Sequence, residues 1–395
     1  MVSTDLLLAI VFYGILIILF LRYRNRFTVQ GVIVMLRTKL GLKSMDKLGK
    51  KHPKTFNFLG ILGVITGFVG MAIIFWVLIE GSYKLLFVPE SQPVIAPVLP
   101  GITIPGLPTL SFWYWIIGIF IVAAIHEFSH GVLARTYDIK VKSSGFFFLG
   151  PILGAFVEPN EKQTAKKPKL QQLAVFAAGP FSNVITGFIF LLLLNFIISP
   201  VTSSMLEFKG VQIAGLEENY PAAASGLKIG DQILSINNIE IKNIKDFVSA
   251  MENVKPNQNI KITTNTSEVS LLTVQHPKEK DKGYIGIMVS DIRGDIKESV
   301  KEKYGEKLPS VVFWIAQLFF WIFILSIGIG LANLLPLGPV DGGRMFLTGI
   351  SFFIKDEKKA RKVWGIITYL VLFLIFINFL PWIIKLLKFI FSPII

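Results

Sequence analysis

Two histidines four residues apart, with a glutamate directly after the first, stand in an otherwise apolar stretch: His126, Glu127 and His130 in the sequence HEFSH. On a helix, positions i and i+4 share a face, so both imidazoles can meet one metal ion while the intervening carboxylate acts as a base toward water. Alone, the pattern has two free positions and arises readily by chance. Its surroundings sharpen it. The chain has four histidines in all, and residues 111–134 hold no other Asp, Glu, His, Lys or Arg. An acid or base at mid-membrane costs about 2.5–3.5 kcal/mol on insertion scales. Three such groups on one apolar helix therefore call for a compensating ligand; the plainer alternative is polar groups pairing between helices.

A catalytic zinc takes three protein ligands and keeps one position for water. His52 lies in a basic stretch and His276 in a hydrophilic one, so neither suits. Across residues 311–353 the charged residues are Asp341 and Arg344, in NLLPLGPVDGGR, Asn333–Arg344. Pro336, Gly338 and Pro339 are expected to end one helix, and Asp341-Gly342-Gly343 to open the next. A carboxylate there can turn to the metal, although Asp before Gly-Gly also suits a helix N-cap. Zinc with two neutral imidazoles and the carboxylates of Asp341 and Glu127 is about neutral. In a low-dielectric site that is far cheaper than separate ions.

Two asparagines are softer candidates. Asn183, near Gly179-Pro180, is suited to donate to a developing oxyanion or to orient a substrate carbonyl, and equally to join two helices. Asn333 is suited to bind substrate backbone or to cap the helix end before Pro336. Arg344 is expected to reach for the cytoplasmic interface.

These residues need elements to hold them. The chain has 395 residues, 52% of them hydrophobic, and a mean hydropathy of +0.61. A membrane-spanning helix needs about 20 apolar residues, and runs of that kind lie at Leu6–Leu21, Phe56–Ile79, Ser111–Ala134, Leu170–Ile198, Val311–Leu335 and Val363–Leu380. The expected fold class is a polytopic α-helical membrane protein with about six transmembrane helices, a re-entrant β-like loop and an inserted α+β domain. The absence of cysteine excludes disulfides and thiolate ligands. Asp5 before the first run and Arg22, Arg24 and Arg26 after it argue against a cleavable signal peptide.

A formal charge of +14 raises nucleic acid as a partner, but its distribution argues against that. Residues 22–56 carry ten Lys/Arg and one acid, residues 138–169 six and three, and residues 354–362 five and two. Residues 207–309, by contrast, carry fourteen bases and fifteen acids. Short basic loops stay in the cytoplasm, while long domains cross whatever their charge. The expected topology puts the N-terminus outside, residues 22–56, 138–169 and 354–362 inside, and residues 81–110 and 207–309 outside. Nine residues of helix separate His126 from Arg135, a rise of about 14 Å. The site is thus expected inside the hydrocarbon, nearer the cytoplasmic face of a multi-pass cell-membrane protein.

Residues 143–158, SSGFFFLGPILGAFVE, are apolar but too short and glycine-broken to span. With both flanks cytoplasmic, they read as a strand-like loop that dips into the membrane, or as one lying at its surface. Gly150 and Gly154 are the candidates there for holding an extended substrate. The hydrophilic insert, about 205–295, alternates strand-like runs with a helical stretch near Lys245–Met251. Loop 81–110 is proline-rich and reads as an irregular external cap. Residues from Trp382 onward suit the membrane interface.

Within the insert, Tyr220–Ile241 (YPAAASGLKIGDQILSINNIEI) resembles the PDZ family, whose members bind extended peptides by strand addition. The chain as a whole resembles the site-2 protease family of intramembrane metalloproteases in its PDZ-bearing form. Three motifs carry the resemblance: His126–His130, the AGPFSN stretch Ala178–Asn183, and Asn333 through Gly343. Together they cover about 111–353. The resemblance implies Zn2+ as cofactor, with His126, His130 and Asp341 as its ligands and Glu127 as general base. It further implies single-span membrane proteins as substrates, and a β-like re-entrant element at 143–158. Val340 stands where the family often has Leu. The domains expected are 1–110, a two-helix membrane region; 111–204, the first part of a catalytic membrane core; 205–295, an extracytoplasmic PDZ domain; and 296–395, the rest of the core. A scaffold built around the PDZ domain would not need the complete set of four polar residues. A proton-relaying transporter would show internal repeats, and none is evident.

Overall fold

The computed structural model describes residues 4–31, 33–89, 91–102, 104, 107–149 and 152–391. The chain divides into two compact units, Met1–Leu194 with Gln317–Ile395, and Asn195–Ala316. Gly150 lies outside the described residues.

The first unit opens with helix α1 (Thr4–Arg22), followed by strands β1 (Phe27–Gln30) and β2 (Ile33–Thr38) and the amphipathic helix α2 (Leu42–Lys51). Helix α3 (Pro53–Phe87) carries Pro53 in its first turn, where the missing N–H costs nothing. Helix α4 (Phe112–Thr136) holds the HEFSH sequence. It leads into strands β3 (Val141–Leu149) and β4 (Ile152–Pro159), then helices α5 (Glu161–Lys166) and α6 (Lys169–Leu193). Beyond α6, a π-helical turn (Leu194–Ile198) continues into α7 (Ser199–Met205).

Strands β1 to β4 form an antiparallel sheet in chain order, with β4 at one edge. The β3–β4 hairpin falls on the segment read as strand-like. Strands β1 and β2 and helix α2, in contrast, lie inside the stretch read simply as a basic loop. Thr28, Val29, Ile33 and Val34 around Gly31 favour a hairpin there.

The second unit contributes β5 (Leu206–Leu216), β6 (Gln232–Ile236), β7 (Ile239–Glu240), helix α8 (Ile244–Glu252), β8 (Asn259–Thr264), β9 (Glu268–Leu272), β10 (Val274–Gln275), β11 (Gly283–Tyr284) and β12 (Ile287–Ile296), then helix α9 (Glu298–Tyr304). Strands β12, β5, β6, β8 and β9 lie side by side in that order, and β7 pairs with β6. Alternate residues Val211 and Ile213 of β5 and Ile260 and Ile262 of β8 are buried and pack with Phe247 and Ala250 of α8, as do Ile233 and Ile236 on either side of an irregularity in β6. That is the period-two pattern a one-sided sheet requires. The two ends of this fold meet, because the Lys297 N–H donates to the Met205 carbonyl at 2.9 Å.

Helix α10 (Lys307–Asn333) returns the chain to the first unit, which ends with α11 (Asp341–Ile350) and α12 (Glu357–Phe391). Among the described residues, six helices are long and apolar enough to cross a membrane: Asp5–Arg22, Pro53–Phe87, Phe112–Thr136, Lys169–Met205, Lys307–Asn333 and Glu357–Lys388. Helix α6 packs against α3, α4 and α11. Their shared core holds Val64 and Met71 of α3, Leu133 and Ala134 of α4, Leu173 to Val175 of α6, and Met345 of α11. The proline-rich segment after α3 is pinned by side chains: Asn378 accepts from the Val94 N–H, Trp382 donates to the Ile95 carbonyl, and Trp115 to that of Val98.

Candidate metal centre

His126 and His130 lie one turn apart on α4, both buried, and their imidazoles turn to the same point. Asp341 opens α11, some two hundred residues later in the chain. Its Oδ2 lies 3.1 Å from His126 Nε2 and 3.2 Å from His130 Nε2, and the two Nε2 atoms are 3.2 Å apart. Among the described residues, these three form the one group of His, Cys or acidic side chains arranged to hold a metal ion. Asp341 does not cap the helix. Val340 occupies the N-cap position and no side-chain cap bond forms there.

Backbone close approach is what lets α11 present its carboxylate. A Cβ on Gly342 would meet the Leu334 and Leu335 carbonyls, and one on Gly343 would meet the backbone of Leu337 and Gly338. Glycine at both positions lets the helix start directly beneath the turn that ends α10. Opposite, α6 approaches the two imidazoles so closely that a Cβ on Gly179 would meet Nε2 of both.

The donor set fits a cation. The carbonyl of Val175 can only accept, so His130 Nδ1, 2.7 Å away, must carry the proton. His130 Nε2 is thereby left with its lone pair facing His126 and Asp341. Lone pairs of nitrogen and carboxylate oxygen gathered this closely repel unless a positive charge lies among them. Two imidazoles and one carboxylate form a three-ligand set of the kind zinc takes in catalytic sites.

Glu127 points elsewhere. Its Oε2 accepts the backbone N–H of Val157 on β4 at 2.8 Å. Glu127, the three candidate ligands, Asn333, Arg344 and the end of β4 (Phe156–Pro159) line one cavity of about 920 Å³. Asn333 sits at the last turn of α10 with its amide donating to the Ile329 carbonyl at 3.1 Å. Arg344 leans away from the metal group, over the Phe176 ring and 3.8 Å from Glu161. Asn183 is fully buried behind His126, its amide 3.0 Å from Nδ1. Gly154 pairs with Phe147 in the hairpin, where a Cβ would meet the Phe147 ring. Sequence reasoning missed the Val157 N–H and the Val175 carbonyl. Backbone groups carry no residue-type signal, so the spacing of side chains could not reveal them.

The family model of peptidase family M50 matches residues 114–378. An uncharacterized protein of Methanocaldococcus jannaschii is 32% identical over 80% of this chain and 78% of its own length. The zinc metalloprotease RasP of Shouchella clausii is 25% identical over 55% of this chain and 59% of its own length. A solved PDZ domain of an SdrC-like protein from Listeria monocytogenes aligns with 21% of this chain and 88% of that domain, at 23% identity and a TM-score of 0.19. The chain belongs to peptidase family M50, the site-2 protease family, and is an integral membrane zinc metalloprotease.

Proposed function

We propose that this protease cuts peptide bonds inside the transmembrane segments of single-span membrane proteins, with His126, His130 and Asp341 holding the zinc. The observation that carries this reading is the meeting of those three side chains with Glu127 at one cavity, with His126, Glu127 and His130 on a helix apolar enough to span a membrane. When bound there, zinc supplies Lewis-acid polarisation of water and of the scissile carbonyl. Glu127 takes the proton of the attacking water at its carboxylate and passes it to the leaving amine. Asn333, at the cavity wall, donates its amide to the substrate carbonyl as negative charge develops on the oxygen.

A helical substrate hides its carbonyls in its own hydrogen bonds, so it must unwind before it can react. Strand β4 supplies the place. It is the edge of its sheet, and its Phe156–Pro159 end borders the cavity, so an extended segment adds there by strand pairing. In this reading the β3–β4 hairpin is the re-entrant element, and the site lies toward the cytoplasmic side. The insert acts outside as a PDZ domain. The Tyr220–Ile241 motif and the six-stranded sheet with α8 support that reading, and a peptide bound there screens which substrates enter.

The test uses the purified chain with a panel of membrane-embedded single-span substrates. Wild type should cut at least one of them and stop when a zinc chelator is added. Glu127→Gln should keep its zinc, since the residue is not a ligand, while cleavage falls by about 10² or more. Zinc-free wild-type protein that still cuts, or full activity in Glu127→Gln, would overturn the assignment.

A further inference from the structure

Behind His126 stands a polar group that the reaction itself does not employ. Asn183 is 0% exposed in α6, and its amide meets His126 Nδ1 at 3.0 Å. With the amide nitrogen turned to the ring, Oδ1 is buried without a hydrogen-bond partner. The two ends of an amide are alike in shape, so the chemistry of the ring decides which end faces it.

That chemistry is set by the neighbouring ligand. His130 keeps its proton on Nδ1, bonded to the Val175 carbonyl, and shows a bare Nε2 to the centre. His126 must show a bare Nε2 to the same point if the two are to share an ion, because a protonated Nε2 has no lone pair to give. Its proton then sits on Nδ1 and needs an acceptor. If the amide nitrogen faced the ring, it would donate to Nδ1 and push the proton onto Nε2, 3.1 Å from Asp341 Oδ2. Only the amide oxygen is compatible with metal binding.

We propose that Asn183 is a positioning residue for the metal: its Oδ1 accepts the Nδ1 proton of His126, fixing the tautomer and the plane of the ring. The role rests on the zinc reading above and differs from a place in the oxyanion site. The amide lies on the far side of the imidazole from Asp341 and does not line the cavity that holds Glu127. The motif Ala178–Asn183 thereby gains a physical unit. On one helix, Gly179 clears space for both rings, Val175 orients His130, and Asn183 orients His126. Partners of this kind to metal-bound histidine change affinity by about 10- to 100-fold when removed.

The experiment measures zinc affinity of the full chain in detergent by competition with a chelator, alongside thermal unfolding without zinc. Asn183→Leu keeps the branched outline, at a larger volume, but cannot accept, and should weaken zinc binding by about 10- to 100-fold. Asn183→Asp accepts but cannot donate, and should bind zinc at least as tightly as wild type. A role as helix–helix glue would not distinguish the two in this way. Wild-type zinc affinity in Asn183→Leu would overturn the proposal, as would loss of affinity in a folded Asn183→Asp. If Asn183→Leu fails to fold, Asn183→Asp alone decides. A wild type that binds no zinc would instead sink the metal assignment itself.

Discussion

The backbone N–H of Val157 donates to the carboxylate of Glu127 across 2.8 Å, tying the proposed base on α4 to the edge strand β4. Along a strand, backbone groups alternate between the two sides. Val157 therefore turns its N–H and C=O away from β3, and so do Ala155 and Leu153, while Gly154 and Phe156 face the partner strand. Glu127 and the edge of the sheet are thus joined by a hydrogen bond. Val157→Pro should remove this donor and leave the pairing with β3 intact, because proline is tolerated where an edge N–H faces outward. A hydrogen bond to a charged group contributes about 1.5–3 kcal/mol, so kcat should fall about ten- to a hundredfold with zinc content unchanged. An unchanged kcat would mean that β4 does not hold Glu127.

Gly179→Ala tests the fit of α6 against the imidazoles. The added methyl would meet Nε2 of both histidines, so helix and rings must part. Overpacking of this kind costs about 1–3 kcal/mol, and it falls on the proposed ligand atoms themselves. Zinc stoichiometry by elemental analysis should drop along with the melting temperature. Full zinc occupancy in this variant would mean that α6 stands farther from the site.

The insert can be removed without stretching the chain, because Met205 and Lys297 are hydrogen-bonded neighbours at its two ends. Replacing 206–296 with a short glycine-serine linker should leave zinc bound and let substrates with longer external segments be cut. Cleavage rates across a series of external lengths are the measurement. If the shortened protein keeps its zinc and cuts nothing, the insert delivers substrate and does not screen it.

The proposed depth and sidedness rest on Arg135, which lies in the last turn of α4 and pairs with Asp46, the one acid among residues 22–56. The native chain has no cysteine, so single thiols placed along 128–137 report cleanly. They should react with a small water-soluble reagent applied from the cytoplasmic side. Reaction from the outside alone would invert the proposed topology.

The sequence by itself suggested the metal site proposed for this chain. His126, Glu127 and His130 are legible because helical periodicity puts a local motif on one face, and Asp341 because a charge in an apolar run is costly enough to demand a reason. The helices were legible for the same reason, since spanning length and apolarity are local properties. The strands of the insert also declared themselves, as runs such as Gly210–Leu216 and Asn259–Asn265 alternate regularly. Only the tertiary structure decided the rest. It set Asp341 Oδ2 between two imidazoles, Asn183 behind one of them and the Val175 carbonyl behind the other, with the Val157 N–H on Glu127. It also built β1 and β2 into the sheet that carries β4. These relationships join backbone groups and side chains far apart in the chain. Their geometry comes from how closely α6, α4 and α11 pack, and no local pattern of residue types encodes that distance.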